Sequence, residues 1–165
     1  MKKLTLLRHA KSAWTYDVPD RERPLQEKGI QAIHAVAAHW KSLFSATDLL
    51  LPSPANRALH TASILAKVCE LNFKKVTIHP PLYTFSAQEL LRVIRHLENA
   101  YEKVIFVGHN PAFSVVADQL AHERVPEIKT AGWVELSFAV EHWQNIDQAT
   151  ARWGDKKEAI NQNKA

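Results

Sequence analysis

The chain has 165 residues, 46 % hydrophobic and 23 % charged, with a formal charge of +4 and a pI near 9.2. That suits one domain over 1–165 with its own core, and basic residues scattered among acids exclude the dense basic arm or aromatic-interleaved basic stripe of a nucleic-acid binder. The single cysteine, Cys69, excludes an internal disulfide and a cysteine-based zinc cluster. The start is too short for a signal h-region, and no run nears the roughly 18 apolar residues of a membrane span, so a cytoplasmic protein without membrane or nucleic-acid partners is expected.

Leu4 to Leu7 follows two lysines and reads as a short buried strand that ends at Arg8 and His9. Polar residues beyond the carboxyl end of a strand in an α/β sheet lie where such sheets bind ligands. Ala13 to Arg23 is a polar connection. From Leu25, residues Ile30, Ile33, Val36, Ala37, Trp40 and Phe44 recur at helical spacing and predict one amphipathic helix, with Gly29 tolerated near its start. Asp48 to Leu51 predicts a second strand, and Ser53 followed by Pro54 predicts an N-cap and first helical residue, which puts Arg57 in the first helical turn.

Val76 to His79 predicts a short strand before the loop Pro80 to Phe85. Ser86 and Glu89 form a capping-box pattern ahead of a helix carrying Leu90, Leu91, Ile94 and Leu97. Val104 to Val107 is a β-branched and aromatic strand ending at Gly108-His109-Asn110-Pro111, where Asn110 can cap a helix with Phe113, Val116, Ala117 and Leu120 on its inner face. Trp133 to Phe138 alternates as a strand, Trp143 to Trp153 offers a hairpin partner, and the polar tail from about residue 154 is expected to be disordered. This order predicts an α/β fold: a three-layer αβα sandwich with a mostly parallel central sheet and an antiparallel edge.

Three strand ends deliver phosphate-compatible chemistry. The first carries Arg8 and His9, the second Ser53 and Arg57, the third His109, the last two at helix starts. Arginines grip phosphate oxygens through charge-assisted bidentate bonds, and helix N-termini add backbone donors. One histidine can attack phosphorus through a ring nitrogen while the other, protonated when phosphate is bound, holds the oxyanions, without a metal or cofactor. The remaining helical histidines, such as His34 and His39, lack metal-type spacing.

The segments Leu7-Arg-His-Ala-Lys11, Ser53-Pro-Ala-Asn-Arg57 with Thr61, and Val107-Gly-His-Asn-Pro111 resemble the signatures of the histidine phosphatase superfamily. Arg-His-Ala-Lys in so short a chain is most similar to its SixA-like phosphohistidine phosphatase branch. The resemblance implies a phosphoglycerate mutase-like fold and a covalent mechanism. His9 would be the phosphorylated nucleophile, Arg8 and Arg57 would bind phosphoryl oxygens, His109 would complete the pocket, and water would discharge the phosphoenzyme. Arg23-Pro-Leu25 also resembles a segment of that branch and makes Arg23 a rim contact; Lys11 and Asn110 are further candidates for substrate contact.

The general acid is the departure from the pattern. Thr84, which cannot serve as a general acid, stands where related short phosphatases often carry Glu, and the candidates are Asp17, Asp20, Glu22 and Glu89, the last also explained by the capping box. A phosphohistidine has a good leaving group and can dispense with acid help, which favours a phosphorylated protein such as a histidine-containing phosphotransfer domain. A small phosphorylated metabolite turned over by a monoesterase or mutase, and a non-catalytic phospho-ligand binding module, are the alternatives.

Overall fold

The computed structural model describes residues 1–162. Five strands, β1 (Lys2–Arg8), β2 (Leu49–Pro52), β3 (Lys103–Gly108), β4 (Trp133–Phe138) and β5 (Thr150–Gly154), form one sheet in the order β2-β3-β1-β4-β5. β2, β3 and β1 run parallel, and β4 pairs antiparallel with both β1 and β5. The helices are α1 (Glu27–His39), α2 (Lys41–Ser45), α3 (Asn56–Val68), α4 (Ala87–Arg95), α5 (Ala112–Leu120) and α6 (Lys156–Gln162).

Side chains alternate across a strand, and the two faces of this sheet are both apolar. Leu4, Leu6, Leu51, Val104 and Phe106 pack with α4 and α5, while Leu7, Leu50, Ile105 and Val107 pack with α1, α3 and α6. A strand buried on both sides must be apolar at every position, which is why β1 and β3 read as continuous hydrophobic runs. The three-layer sandwich with an antiparallel edge is therefore present as expected.

Five local expectations need correction. The segment Val76 to His79 is not a strand: it makes one isolated bridge to β2, with the Thr77 and His79 amides donating to the Leu50 and Pro52 carbonyls. Pro52 has no N–H with which to return a bond, and Pro80 ends the run, so a ladder cannot propagate. The helix expected from Leu25 begins at Glu27 and breaks at Trp40. There Trp40 packs edge-on to Trp133 at 5.3 Å while Phe44 reaches the same ring at 6.0 Å.

Helix α3 starts at Asn56 with Ala55 as its cap, not at Ser53 and Pro54. The tail past 154 is not disordered throughout, because residues 156–162 form α6, which buries Ala159 against the α1 side of the sheet; residues 163–165 lie outside the described residues. Gly29 is required rather than tolerated. A Cβ there would lie 2.4 Å from the Lys11 carbonyl oxygen, so its absence lets α1 abut the loop that follows β1.

Candidate active site

Register brings the two histidines together. Arg8 lies opposite Gly108 in the parallel β1/β3 pair, so the next residues, His9 and His109, leave the sheet side by side, with ring centroids 5.3 Å apart. The His9 amide still donates to the Gly108 carbonyl, and the Phe113 amide closes the first turn of α5 on the His109 carbonyl. In the neighbouring β2/β3 pair, Pro52 lies opposite Val107, which delivers Ser53 beside His109. Arg57 rises from the first turn of α3, where Thr61 accepts the Ala10 amide and donates to the Arg57 carbonyl, tying α3 to the end of β1.

His9, Arg57 and His109 line a cleft of about 400 Å³ with Arg8, Lys11, Ser12, Trp14, Asp20, Arg23, Phe85 and Asn110. The hydrogen bonds settle both tautomers. His9 Nδ1 is 2.7 Å from the Ala10 carbonyl oxygen, which can only accept, so Nδ1 carries the proton and Nε2 a lone pair. Arg57 Nε donates to that Nε2 at 3.3 Å. For His109, Arg57 Nη2 approaches Nδ1 at 3.4 Å and can only donate, so the proton lies on Nε2, 2.8 Å from Ser53 Oγ.

Burial chiefly, then the cations Arg57, Arg8 and Arg23, outweigh the Ala10 bond and push the His9 pKa down to about 4. Burial, then His9 and Arg57, push His109 down to about 3. Both rings are thus neutral near pH 7. Because the folded chain holds these pKa values below the ordinary 6.5, the unfolded chain binds more protons as the pH falls from about 6.5 towards 4 and below. Stability is therefore expected to drop across that window, by no more than about 3 kcal/mol for His9. Urea midpoints at pH 7 and pH 4.5 check this; a His9→Asn chain showing the same fall would contradict it.

The arginines are built differently. Arg8 donates from Nη1 to the Ile128 carbonyl, and its Nε is buried without an acceptor. A buried unpaired donor is costly. Arg57, with 2 % of its surface exposed, bonds to both histidines and to Asp20. Arg23 is also buried: it donates to Ser12 Oγ at 2.7 Å, pairs with Asp20 and lies 3.5 Å under the Trp14 ring. It is held in the cleft wall by its own contacts, where a rim position was expected.

Lys11 is exposed at the mouth. Asn110 is committed to structure, its amide donating to the Ile128 carbonyl and its Oδ1 accepting from the Ser114 amide and hydroxyl. The capping role expected for Asn110 thus persists through Ser114, although Pro111 holds the cap position.

Of the four acid candidates, Asp20 lines the cleft. Burial raises its pKa, but the Tyr83 hydroxyl at 2.6 Å and the Arg57 and Arg23 bonds outweigh burial and hold it at about 2. It is an ionised carboxylate. Glu89 is tied to the start of α4: Ser86 is the cap, its Oγ accepting the Glu89 amide, while the Ser86 amide goes to Thr84 Oγ1 and not to Glu89, whose carboxylate instead accepts from Thr84. Asp17 and Glu22 are exposed outside the cleft lining.

The sequence reading missed Ser53 as a partner of His109 and Tyr83 as a partner of Asp20. Its helix-cap assignment hid the first, and no local signal marks the second. Among the described residues, no group of three or more His, Cys, Asp or Glu is placed to hold a metal ion, and no helix is long and apolar enough to cross a membrane.

A family model described as the histidine phosphatase superfamily (branch 1) matches residues 4–83, which contain Arg8, His9 and Arg57. Over this segment the chain is similar to the histidine phosphatase superfamily. Among its relatives, an uncharacterised chloroplast protein of Arabidopsis thaliana is 26 % identical over 170 residues, covering 96 % of this chain and 77 % of that protein. The protein histidine phosphatase SixA complexed with tungstate has the same fold, with a TM-score of 0.80 at 18 % identity over 94 % of this chain and 98 % of that one. The alpha-ribazole phosphatase of Shigella flexneri follows at a TM-score of 0.68 and 19 % identity, covering 91 % and 94 %. These similarities give the chain a phosphoglycerate mutase-like fold.

Proposed function

We propose that this chain is a SixA-like phosphatase that removes phosphoryl groups from protein phosphohistidine through a covalent intermediate on His9. The observation that carries the reading is the His9 Nε2 lone pair, held between Arg57 and the neighbouring His109 by the Nδ1 bond to Ala10. Nε2 attacks phosphorus, the new N–P bond forms as the bond to the leaving nitrogen breaks, and that nitrogen takes a proton from solvent. Water then attacks the phosphoenzyme, the N–P bond breaks, and inorganic phosphate leaves.

Arg8 Nε and the Arg57 fork stabilise the equatorial oxygens, where charge gathers in the transition state. His109 is neutral in the geometry described, and a dianion between the rings favours its protonation, so it adds a charged donor when phosphate is bound. No metal enters the scheme.

Two features support a protein phosphohistidine over an alkyl phosphate. The carboxylate in the cleft is ionised, so substrates with a good leaving group fit best. The mouth is flanked by two exposed aromatic side chains, Trp14 at 76 % and Phe85 at 49 %, a surface suited to a protein face. The test is single-turnover phosphoenzyme trapping with a phosphorylated histidine-containing phosphotransfer domain beside a panel of phosphometabolites and phosphoserine peptides. The expected result is acid-labile, alkali-stable label on His9, with the phosphohistidine donor at least about tenfold faster than any alkyl phosphate. Equal rates for phosphoserine and phosphohistidine would reject the substrate assignment.

A further inference from the structure

Arg57 is already occupied by protein. A guanidinium has five N–H donors, and four have acceptors: Nε on His9 Nε2, Nη2 on His109 Nδ1 and on Asp20 Oδ2 at 2.9 Å, and Nη1 on the Asp20 backbone oxygen at 2.7 Å. Arg8 offers the contrast, with its buried Nε unpaired. The guanidinium that reaches both histidines is therefore the one covered by a carboxylate.

Asp20 is placed to leave. Its side chain is 42 % exposed on a short 3₁₀ turn, Asp20–Glu22, in which no residue is buried, and its other bonds come from outside Arg57. Tyr83 donates to the same Oδ2, and Arg23 Nε donates to Oδ1 at 3.1 Å. These two donors can retain the carboxylate at the pocket edge once it lets go of Arg57. Arg23 is itself pinned by Ser12 and Trp14, so it does not follow.

We propose that Asp20 sets the affinity of the pocket: its carboxylate stands on Arg57 in place of a phosphoryl oxygen, so that substrate binding exchanges one anion for another, and the returning carboxylate helps expel phosphate. Tyr83 is the positioning residue that holds Asp20 Oδ2 at that post. The inference rests on the reading of the cleft as a phosphoryl pocket, and it makes Asp20 a competitor for the oxyanion site instead of a proton donor.

The test measures equilibrium binding of inorganic phosphate and orthovanadate, followed through tryptophan fluorescence or calorimetry, for the wild type, Asp20→Asn and Tyr83→Phe, together with KM and kcat on an activated aryl phosphate and an alkyl phosphate. Removing a charge-assisted bond between Arg57 and its internal anion is expected to lower both dissociation constants about tenfold or more in Asp20→Asn. A smaller change in the same direction is expected in Tyr83→Phe, and KM should fall without a rise in kcat. Unchanged or weaker oxyanion binding in Asp20→Asn overturns the inference, as does a kcat loss confined to the alkyl phosphate, which marks a proton donor. Should Asp20→Asn not fold, unchanged binding in Tyr83→Phe overturns it. If the wild type binds neither anion, the phosphoryl-pocket reading itself fails, an outcome distinct from the others.

Discussion

Replacing His9 with alanine is expected to lower turnover of every phosphorylated substrate by about 10⁴-fold or more and to abolish the phosphoenzyme. The side chain supplies the lone pair; the other imidazole of the cleft, His109, also turns a lone pair to Arg57, but a bound dianion favours its protonation. Ser12 Oγ accepts from Arg23, and Lys11 stands exposed at the mouth. The alanine chain should still fold, because the ring leaves the sheet at the end of β1 instead of packing in either core, and its burial opposes its own charge. It should also still bind orthovanadate, since Arg8 and Arg57 remain. Binding without turnover separates a lost nucleophile from a collapsed pocket; normal turnover would end the covalent mechanism.

Arg57→Lys is expected to reduce kcat/KM by about 10² to 10³-fold although the charge is retained. The reason is geometric. One planar fork reaches His9, His109 and two atoms of Asp20 at once, and an ammonium on a flexible stem cannot hold that arrangement. If the loss is mainly of transition-state stabilisation, kcat falls more than KM rises. Arg57→Ala should in addition lower the melting temperature, because it removes one of the two cationic partners of Asp20 and opens a void beside α3. A lysine variant within threefold of wild type would show that charge alone is required.

Much of this architecture was legible in the chain. The continuous apolar runs of β1 and β3 signalled strands buried on both faces. Arg8, His9, Arg57 and His109 stood at strand ends or helix starts, where α/β sheets expose their ligand sites. Other features were misread because a local rule competed with a distant contact. Ser53 looked like a helix cap, yet its hydroxyl sits against His109 Nε2, and α3 begins three residues later. Val76 to His79 has strand composition but meets Pro52, which cannot complete the ladder. The polar residues after 154 looked unstructured, yet α6 finds a place against the α1 side of the sheet.

By itself, the sequence determined the three-layer fold, the two-histidine and two-arginine constellation, and the order in which the chain delivers it. Those follow from hydrophobic periodicity, prolines and turn residues that act within a few positions of one another. Only the tertiary structure decided which donor meets which acceptor. The bonds from Arg57 and Tyr83 to the Asp20 carboxylate span 37 and 63 residues, and that between Ser53 and His109 spans 56. Strand register and loop packing set such contacts, and no local pattern encodes them. They determine which nitrogen of His9 is unprotonated and which anion Arg57 holds.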